Sequence, residues 1–320
     1  MDVIAKKKFG QNFLVNQQAK DRMEIVIQNF LQKVGATSIL EIGPGLGDLT
    51  AITSKYLKVT AVEIDPEMVE KTKDIFEKEF KAKLYLGDFY QWQKEIIGQG
   101  DEKDLKNNSL DINSIDIQSL NLVNNKAGAG RDSNNSEFLT PNVVPPSFID
   151  YYLKEDWAMV ANLPYNLGSR ILVDLAVARP DVSFLVLLQE EVVNKLCNLD
   201  RSFTFFGAWL NLLWDFKKVM IFPRHYFMPQ PKIVSALVSA YPKEELAFLN
   251  TVQNRNEALF LLKNLFGLPS KTILNNLRNI GWEVDRIDKL LESLGLEKSA
   301  RLNKDNYVLI LHQILCVDKE

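Results

Sequence analysis

The stretch Ser38-Ile39-Leu40-Glu41-Ile42-Gly43-Pro44-Gly45-Leu46-Gly47 restricts the fold more than any other part of the 320-residue chain. A buried-type strand runs directly into three glycines at alternate positions, and a helical pattern begins at about Leu49. Glycine lets the backbone come close to a ligand, and the helix that follows turns its amide groups toward it. The spacing narrows the ligand. A dinucleotide fingerprint needs glycine at its first, third and sixth positions, and the sixth here is Asp48. A phosphate-binding loop needs Gly-Lys-Ser/Thr, which is absent. A nucleotide-like ligand without a pyrophosphate fits better.

Further strand ends carry matching chemistry. Val59-Thr60-Ala61-Val62-Glu63-Ile64-Asp65 reads as a second strand, with Glu63 sixteen residues past Gly47, where such a unit presents a carboxylate to ribose hydroxyls. Lys83-Leu84-Tyr85-Leu86-Gly87-Asp88 is a third, and Asp88 is placed to accept from an adenine amino group. A fourth, Trp157-Ala158-Met159-Val160, leads into Ala161-Asn162-Leu163-Pro164-Tyr165-Asn166. Pro164 has no amide hydrogen and biases Leu163 away from helix, so the strand ends there with unpaired carbonyls. An Asn oxygen, a backbone carbonyl and an aromatic ring at one strand terminus suit a planar base with an exocyclic amine. The amine donates to the two oxygens and Tyr165 stacks on the ring. By itself Asn-Leu-Pro-Tyr is also an ordinary strand-ending turn. The glycine loop, Glu63 and Asp88 at successive strand ends give it the functional meaning.

Residues 169–178 read as helix, 182–191 as a strand buried on both faces and ending in polar residues, 202–214 as an aromatic-rich core helix and 234–241 as another strand. Alternating strands and helices imply a parallel, doubly wound α/β sheet, with ligand beyond the carboxyl ends of its central strands. Residues from about 94 to 147 lose periodicity: Asn107-Asn108, Gly128-Ala129-Gly130, Asn134-Asn135 and Pro145-Pro146 mark a low-complexity insertion. From 243 onward the pattern is purely helical, with candidates over 246–265, 270–280 (Ser270 as N-cap), 285–294 and 303–315. Lys263, Lys271, Arg278, Arg286, Lys298 and Arg301 lie there among interleaved acids, so these helices present either a basic docking face or a solvated surface.

The net charge of −3 does not announce a nucleic-acid partner, yet it is unevenly placed. Residues 101–150 hold eight acids against four bases, and the remainder is close to neutral, which permits a local basic face. Lys6-Lys7-Lys8 would serve as contacts beside a phosphate-rich partner. No apolar run approaches the roughly 20 residues of a membrane span, and no signal peptide is expected. Two cysteines and two histidines argue against a disulfide framework or a zinc site, so a cytoplasmic protein without metal is expected.

Taken in order, Phe9-Gly10-Gln11-Asn12-Phe13-Leu14, Glu41-Ile42-Gly43-Pro44-Gly45-x-Gly47-x-Leu49-Thr50, Glu63-Ile64-Asp65, Gly87-Asp88, Asn162-Leu163-Pro164-Tyr165-Asn166, Gln189-x-Glu191-Val192-Val193 and Phe227-x-Pro229-x-Pro231-Lys232 resemble the ribosomal RNA small-subunit adenine dimethyltransferases of the KsgA type. The likeness spans nearly the whole chain apart from the insertion. It implies a class I S-adenosylmethionine-dependent methyltransferase sheet over 1–242 and a small all-helical RNA-docking domain over 243–320. The implied activity is N6,N6-dimethylation of two adjacent adenosines in the 3′-terminal hairpin of small-subunit rRNA, with a role in small-subunit biogenesis. The implied cofactor, S-adenosyl-L-methionine, would contact Asn12, Leu14, Gly43, Gly45, Glu63, Asp88 and Asn162. The catalytic corner would be Asn162, Leu163, Pro164 and Tyr165, with Tyr165 and Phe227 sandwiching the target adenine. The expected partner is small-subunit rRNA or the immature subunit, and the expected state is a monomer. The competing readings are a large-subunit methyltransferase of the macrolide-resistance type and an assembly or transcription factor that keeps the fold without catalysis. Two departures from the family pattern stand out: Phe266-Gly267-Leu268-Pro269-Ser270 replaces an arginine-rich run, and Val234 replaces an Asp.

Overall fold

The computed structural model describes residues 12–104, 144–244, 246–268 and 270–317. A seven-stranded sheet forms its centre. Its strands are β2 (Ser38–Ile42), β3 (Lys58–Glu63), β4 (Lys83–Leu86), β5 (Trp157–Asn162), β6 (Phe184–Gln189), β7 (Trp214–Phe222) and β9 (Ser235–Pro242). They lie in the order β4-β3-β2-β5-β6-β9-β7, the first five parallel and β9 antiparallel to both of its neighbours, β6 and β7. Strand β2 is buried along its whole length, as a strand covered on both faces must be.

Helices connect the parallel strands: α1 (Gln17–Val34), α2 (Asp48–Thr53), α3 (Pro66–Ile75), α4 (Phe89–Asp104), α5 (Pro146–Lys154), α6 (Gly168–Ala178), α7 (Glu190–Cys197) and α8 (Phe205–Asn211). Helix α1 starts where the Asn16 side chain accepts from Ala19 N and ends at Gly35, whose φ of 68° suits glycine. From β2 the chain moves one way along the sheet to β3, and from β5 the other way to β6. The neighbours β2 and β5 therefore form the switch point where a crevice opens at the strands' carboxyl ends.

A second, two-stranded ribbon supplies one wall of that crevice. Strand β1 (Phe13–Leu14) pairs antiparallel with β8 (Phe227–Met228), placing Leu14 opposite Phe227. Val15 N donates to the Tyr226 carbonyl at 2.8 Å, so the N-terminal segment is strapped onto the loop before β8.

Helices α9 (Val252–Gly267), α10 (Ile273–Asn279), α11 (Val284–Ser293) and α12 (Tyr307–His312) follow the sheet. Their core is continuous with that of the helices flanking the sheet. Phe203 meets Phe266 at 4.9 Å and Tyr307 at 5.5 Å between ring centroids. The Arg255 guanidinium, 1% exposed, donates to the Val177 and Leu249 carbonyls at 2.7 Å each.

The structure differs from the sequence expectations at several points. Residues 94–104 continue α4 rather than open the insertion, because Phe89, Trp92 and Ile96 carry a buried stripe into them. Residues 105–143, the rest of that insertion except its last four residues, lie outside the described residues. Residue 144 onward leads into α5. The aromatic run over 202–214 is helical only across α8, and Trp214 opens the strand β7. Helix α10 is capped by Thr272, whose hydroxyl accepts from Asn275 N at 3.2 Å, and not by Ser270.

Candidate active site

One cleft at the switch point gathers most of the expected residues. Asn12, Leu14, Gly43, Gly45, Glu63, Asn162, Leu163, Pro164 and Tyr165 all line it, and its empty space, open mouth included, is about 1040 Å³.

The floor is the turn after β2. Gly43, Gly45 and Gly47 have φ values of 66°, 56° and 85°, in the left-handed region that other residues adopt at a cost. Two of them are also closely packed. A Cβ on Gly45 would lie 3.0 Å from the Phe13 ring, and one on Gly47 would lie 2.8 Å from Phe80. A Cβ on Gly43 would meet no atom of the described residues within 4 Å and would enter the cleft. Gly43 therefore leaves room for a ligand to lie against backbone.

Glu63, at the end of β3, is 4% exposed, and both of its oxygens are engaged. Oε2 accepts from Gly45 N at 3.1 Å and Oε1 from Asp65 N at 2.9 Å. Burial raises the pKa of this carboxyl, and the two backbone donors oppose the rise. Each carboxylate oxygen keeps a second lone pair, so the pair can still accept from a diol.

The wall is the Asn-Leu-Pro-Tyr corner at the end of β5. The Asn162 Nδ2 donates to the Asn12 carbonyl at 3.2 Å, which fixes the amide plane and leaves Oδ1 as its acceptor end. The Pro164 carbonyl accepts from Leu167 N at 3.0 Å and Gly168 N at 2.8 Å, turning the chain into α6. Among the described residues no backbone donor reaches the Leu163 carbonyl. A Cβ on Gly168 would come within 2.7 Å of Leu188 and 3.2 Å of Leu163, so glycine there lets α6 close against the corner. The Tyr165 hydroxyl shares a 2.5 Å hydrogen bond with Ser235 Oγ, which anchors the ring at its far end. Burial raises the pKa of that hydroxyl.

Two expected residues lie outside the cleft lining. Asp88 lies two residues past β4, and its Oδ1 caps α4 by accepting from Tyr90 N at 3.1 Å and Gln91 N at 3.2 Å. Its Oδ2 has no partner among the described residues. Phe227 is 2% exposed, and its ring lies 6.2 Å from that of Phe222 within an apolar cluster that also contains Leu14. Strand alternation in the short β1–β8 ribbon accounts for this: Phe227 faces inward beneath Leu14 and Met228 faces out. Phe227 thus backs the ribbon that carries Asn12 and Leu14, in place of the open stacking position that the resemblance implies.

Sequence reasoning overlooked Glu41. Its only signal was a single acid in an apolar strand. It is 1% exposed, lines the cleft and accepts from Thr50 Oγ1 at 2.7 Å. Burial pushes its carboxyl up to about 8 against that hydrogen bond, and Glu63 and Asp48 add to the rise. The Lys20–Asp48 ion pair, 2.6 Å across the same cleft, was also not anticipated. Among the described residues no group of three or more His, Cys, Asp and Glu could hold a metal ion. Nor is any helix there long and apolar enough to cross a membrane.

A sheet in this order, with a glycine turn after its first strand, an acid ending the second and a ligand cleft at the switch point, defines a class I methyltransferase fold. Solved structures agree on the fold. A dimethyladenosine transferase from Plasmodium falciparum superposes with a TM-score of 0.60 at 21% identity, covering 94% of this chain and 97% of that one. The 23S rRNA methyltransferase ErmE superposes with a TM-score of 0.55 at 18% identity, covering 95% and 99%. The model of the family described as ribosomal RNA adenine dimethylase matches residues 4–319, and the chain belongs to that family. Its relatives include the ribosomal RNA small subunit methyltransferase A of Mesoplasma florum, 27% identical over 94% of this chain and 94% of its own. The enzyme of the same name from Campylobacter jejuni is 27% identical over 93% and 90%.

Proposed function

We propose that this chain transfers methyl groups from S-adenosyl-L-methionine to the N6 amines of two adjacent adenosines in the 3′-terminal hairpin of small-subunit (16S) rRNA, dimethylating each. The observation that carries the proposal is the convergence of the Asn162 corner, the Glu63 carboxylate and the open face of Gly43 on one cleft. Small-subunit relatives over nearly the full chain support the choice of substrate.

The residues present fit the cofactor. Gly43 and Gly45 offer backbone for close approach, and the remaining lone pairs of Glu63 accept the ribose hydroxyls. Asp88 Oδ2 would accept from the adenine amine, and Asn12 and Leu14 close the cleft from the ribbon. When bound, the cofactor supplies an activated methyl on a sulfonium sulfur.

The chain's own part is positioning and electrostatics. Adenine N6 is a weak nucleophile because its lone pair is delocalised into the ring. Asn162 Oδ1 and the Leu163 carbonyl accept its hydrogens and turn that lone pair out of conjugation, so no strong base is required. Pro164 ends the strand and keeps the Leu163 carbonyl out of any ladder. Tyr165, held by Ser235, stacks on the ring. A second methylation needs a corner that still admits the monomethylated amine, and a single remaining hydrogen can be held by either oxygen.

In this reading residues 1–242 carry catalysis and the helices over 243–320 dock the RNA of the immature small subunit. The protein works in the cytoplasm as a monomer, with a role in subunit biogenesis. The test is incubation with methyl-labelled cofactor and undermodified small and large subunits, followed by mapping of methylated adenosines on both rRNAs. Label confined to adjacent adenosines near the 3′ end of the small-subunit RNA is expected. Label on the large-subunit RNA, or none, would overturn the proposal.

A further inference from the structure

We propose that Glu41 is a specificity-determining residue for the cofactor: its carboxylate supplies buried negative charge that favours the positively charged methyl donor over the uncharged thioether product, S-adenosylhomocysteine. The inference rests on the cofactor assigned above and goes beyond the contacts that assignment uses.

The geometry is that of an acid placed where the fold gains little from it. Glu41 stands between Leu40 and Ile42 in a strand buried along its whole length, and it lines the cleft. Only Oε2 is engaged, by Thr50, and among the described residues nothing else hydrogen-bonds the carboxyl. A residue kept only for the Thr50 contact could be an uncharged glutamine. The charged groups facing the cleft come from four elements: Glu41 on β2, Glu63 on β3, Asp48 on α2 and Lys20 on α1. Lys20 is paired with Asp48, so the interior of the cleft carries a surplus of acid with no cation of its own among these groups. A buried surplus of that sign favours a cationic ligand, and its effect is strong because little water screens it.

The two ligands differ by one methyl and one positive charge. Their ribose, adenine and amino-acid portions are identical, so contacts to those portions cancel in the ratio of affinities, while Glu63 and the ligand's own amine, which also feel the sulfonium charge, contribute alike in wild type and in Glu41→Gln. Glu41, pushed up to about 8 by burial, is mostly protonated at neutral pH in the free protein. Binding of a sulfonium favours the ionised form and releases that proton. The preference for the donor should therefore grow as pH rises toward 8 and then level off.

The test is calorimetric titration of wild type and Glu41→Gln with S-adenosylmethionine and with S-adenosylhomocysteine, between about pH 6.5 and 8.5. In the wild type the ratio of the two affinities should rise about tenfold across this range, and in Glu41→Gln the rise should be much smaller. A ratio independent of pH in the wild type, or an equal rise in the variant, overturns the inference. Should the variant fail to fold, the wild type alone decides. At pH 7.5, in two buffers of different ionisation enthalpy, the donor should release roughly half a proton more than the product, and equal release refutes the role of Glu41. Failure of the wild type to bind either ligand would instead overturn the cofactor reading, and this inference with it.

Discussion

Asn162 and Asn12, 150 positions apart in the chain, are joined by a 3.2 Å hydrogen bond in which the side-chain amide donates to the main-chain carbonyl. The bond ties the end of β5 to the ribbon wall and aims the oxygen end of the amide the other way. One residue thereby shapes the proposed catalytic corner and holds the N-terminal strap. Asn162→Ala should lower methyl transfer by about two to three orders of magnitude, the usual loss when a preorganised polar group is removed. Cofactor affinity should fall less, through loosening of Asn12. Asn162→Asp should fare no better, since a carboxylate cannot donate to a carbonyl. Single-turnover methylation and equilibrium titration, run side by side, check both parts.

Gly43 and Gly35 make a controlled pair. Both have positive φ, 66° and 68°, and a Cβ on either would meet no atom of the described residues within 4 Å. Replacing either with alanine should cost roughly 1–2 kcal/mol of stability through the left-handed backbone alone. Only Gly43→Ala places its methyl in the cleft, so only that variant should lose cofactor affinity. Denaturant unfolding and ligand titration of the two variants separate strain from obstruction.

The pH dependence of stability follows from Glu41. Burial pushes its carboxyl up to about 8 in the folded protein, against an ordinary value of 4.5. Between those values the folded chain holds a proton that the unfolded chain has lost, so stability falls as pH rises, by up to about 1.4 kcal/mol per pH unit. Glu41→Gln should flatten this slope and be the more stable protein at pH 8 and above. Urea midpoints of the ligand-free proteins from pH 6 to 9 test the sign directly.

Tyr165 offers two separable losses. Tyr165→Phe keeps the ring but leaves Ser235 Oγ without its 2.5 Å partner, at a cost of about 1 kcal/mol in stability and with a small effect on turnover. Tyr165→Ala removes the stacking face and should weaken productive RNA binding by about 1–3 kcal/mol. The comparison is read from KM for RNA against unfolding free energy.

The parts of the site legible in the sequence were those whose chemistry is local. A glycine turn after an apolar strand and a proline that stops another strand state their geometry within ten residues. Features that depend on distant partners were not legible. Glu41 looked like an ordinary strand position until Glu63 and Asp48 came to face the same cleft. Phe227 sits in a Pro-punctuated loop that suggests exposure, and it is pairing with β1 that turns it inward. Strand β7 was hidden because its alternation is interrupted by an irregularity between Lys218 and Met220, and only the two turn residues Leu212 and Leu213 separate its leading Trp214 from a helix. Helix α7 begins immediately at the end of β6, where Gln189-Glu190-Glu191 resembled a strand terminus rather than a helix start.

The most direct test of the central claim is mass spectrometry of nucleosides from small-subunit RNA incubated with S-adenosylmethionine and either wild-type protein or Asn162→Ala. The account predicts N6,N6-dimethyladenosine with the wild type and essentially none with the variant. Absence of the dimethylated nucleoside with the wild type, or an undiminished yield with Asn162→Ala, would contradict it.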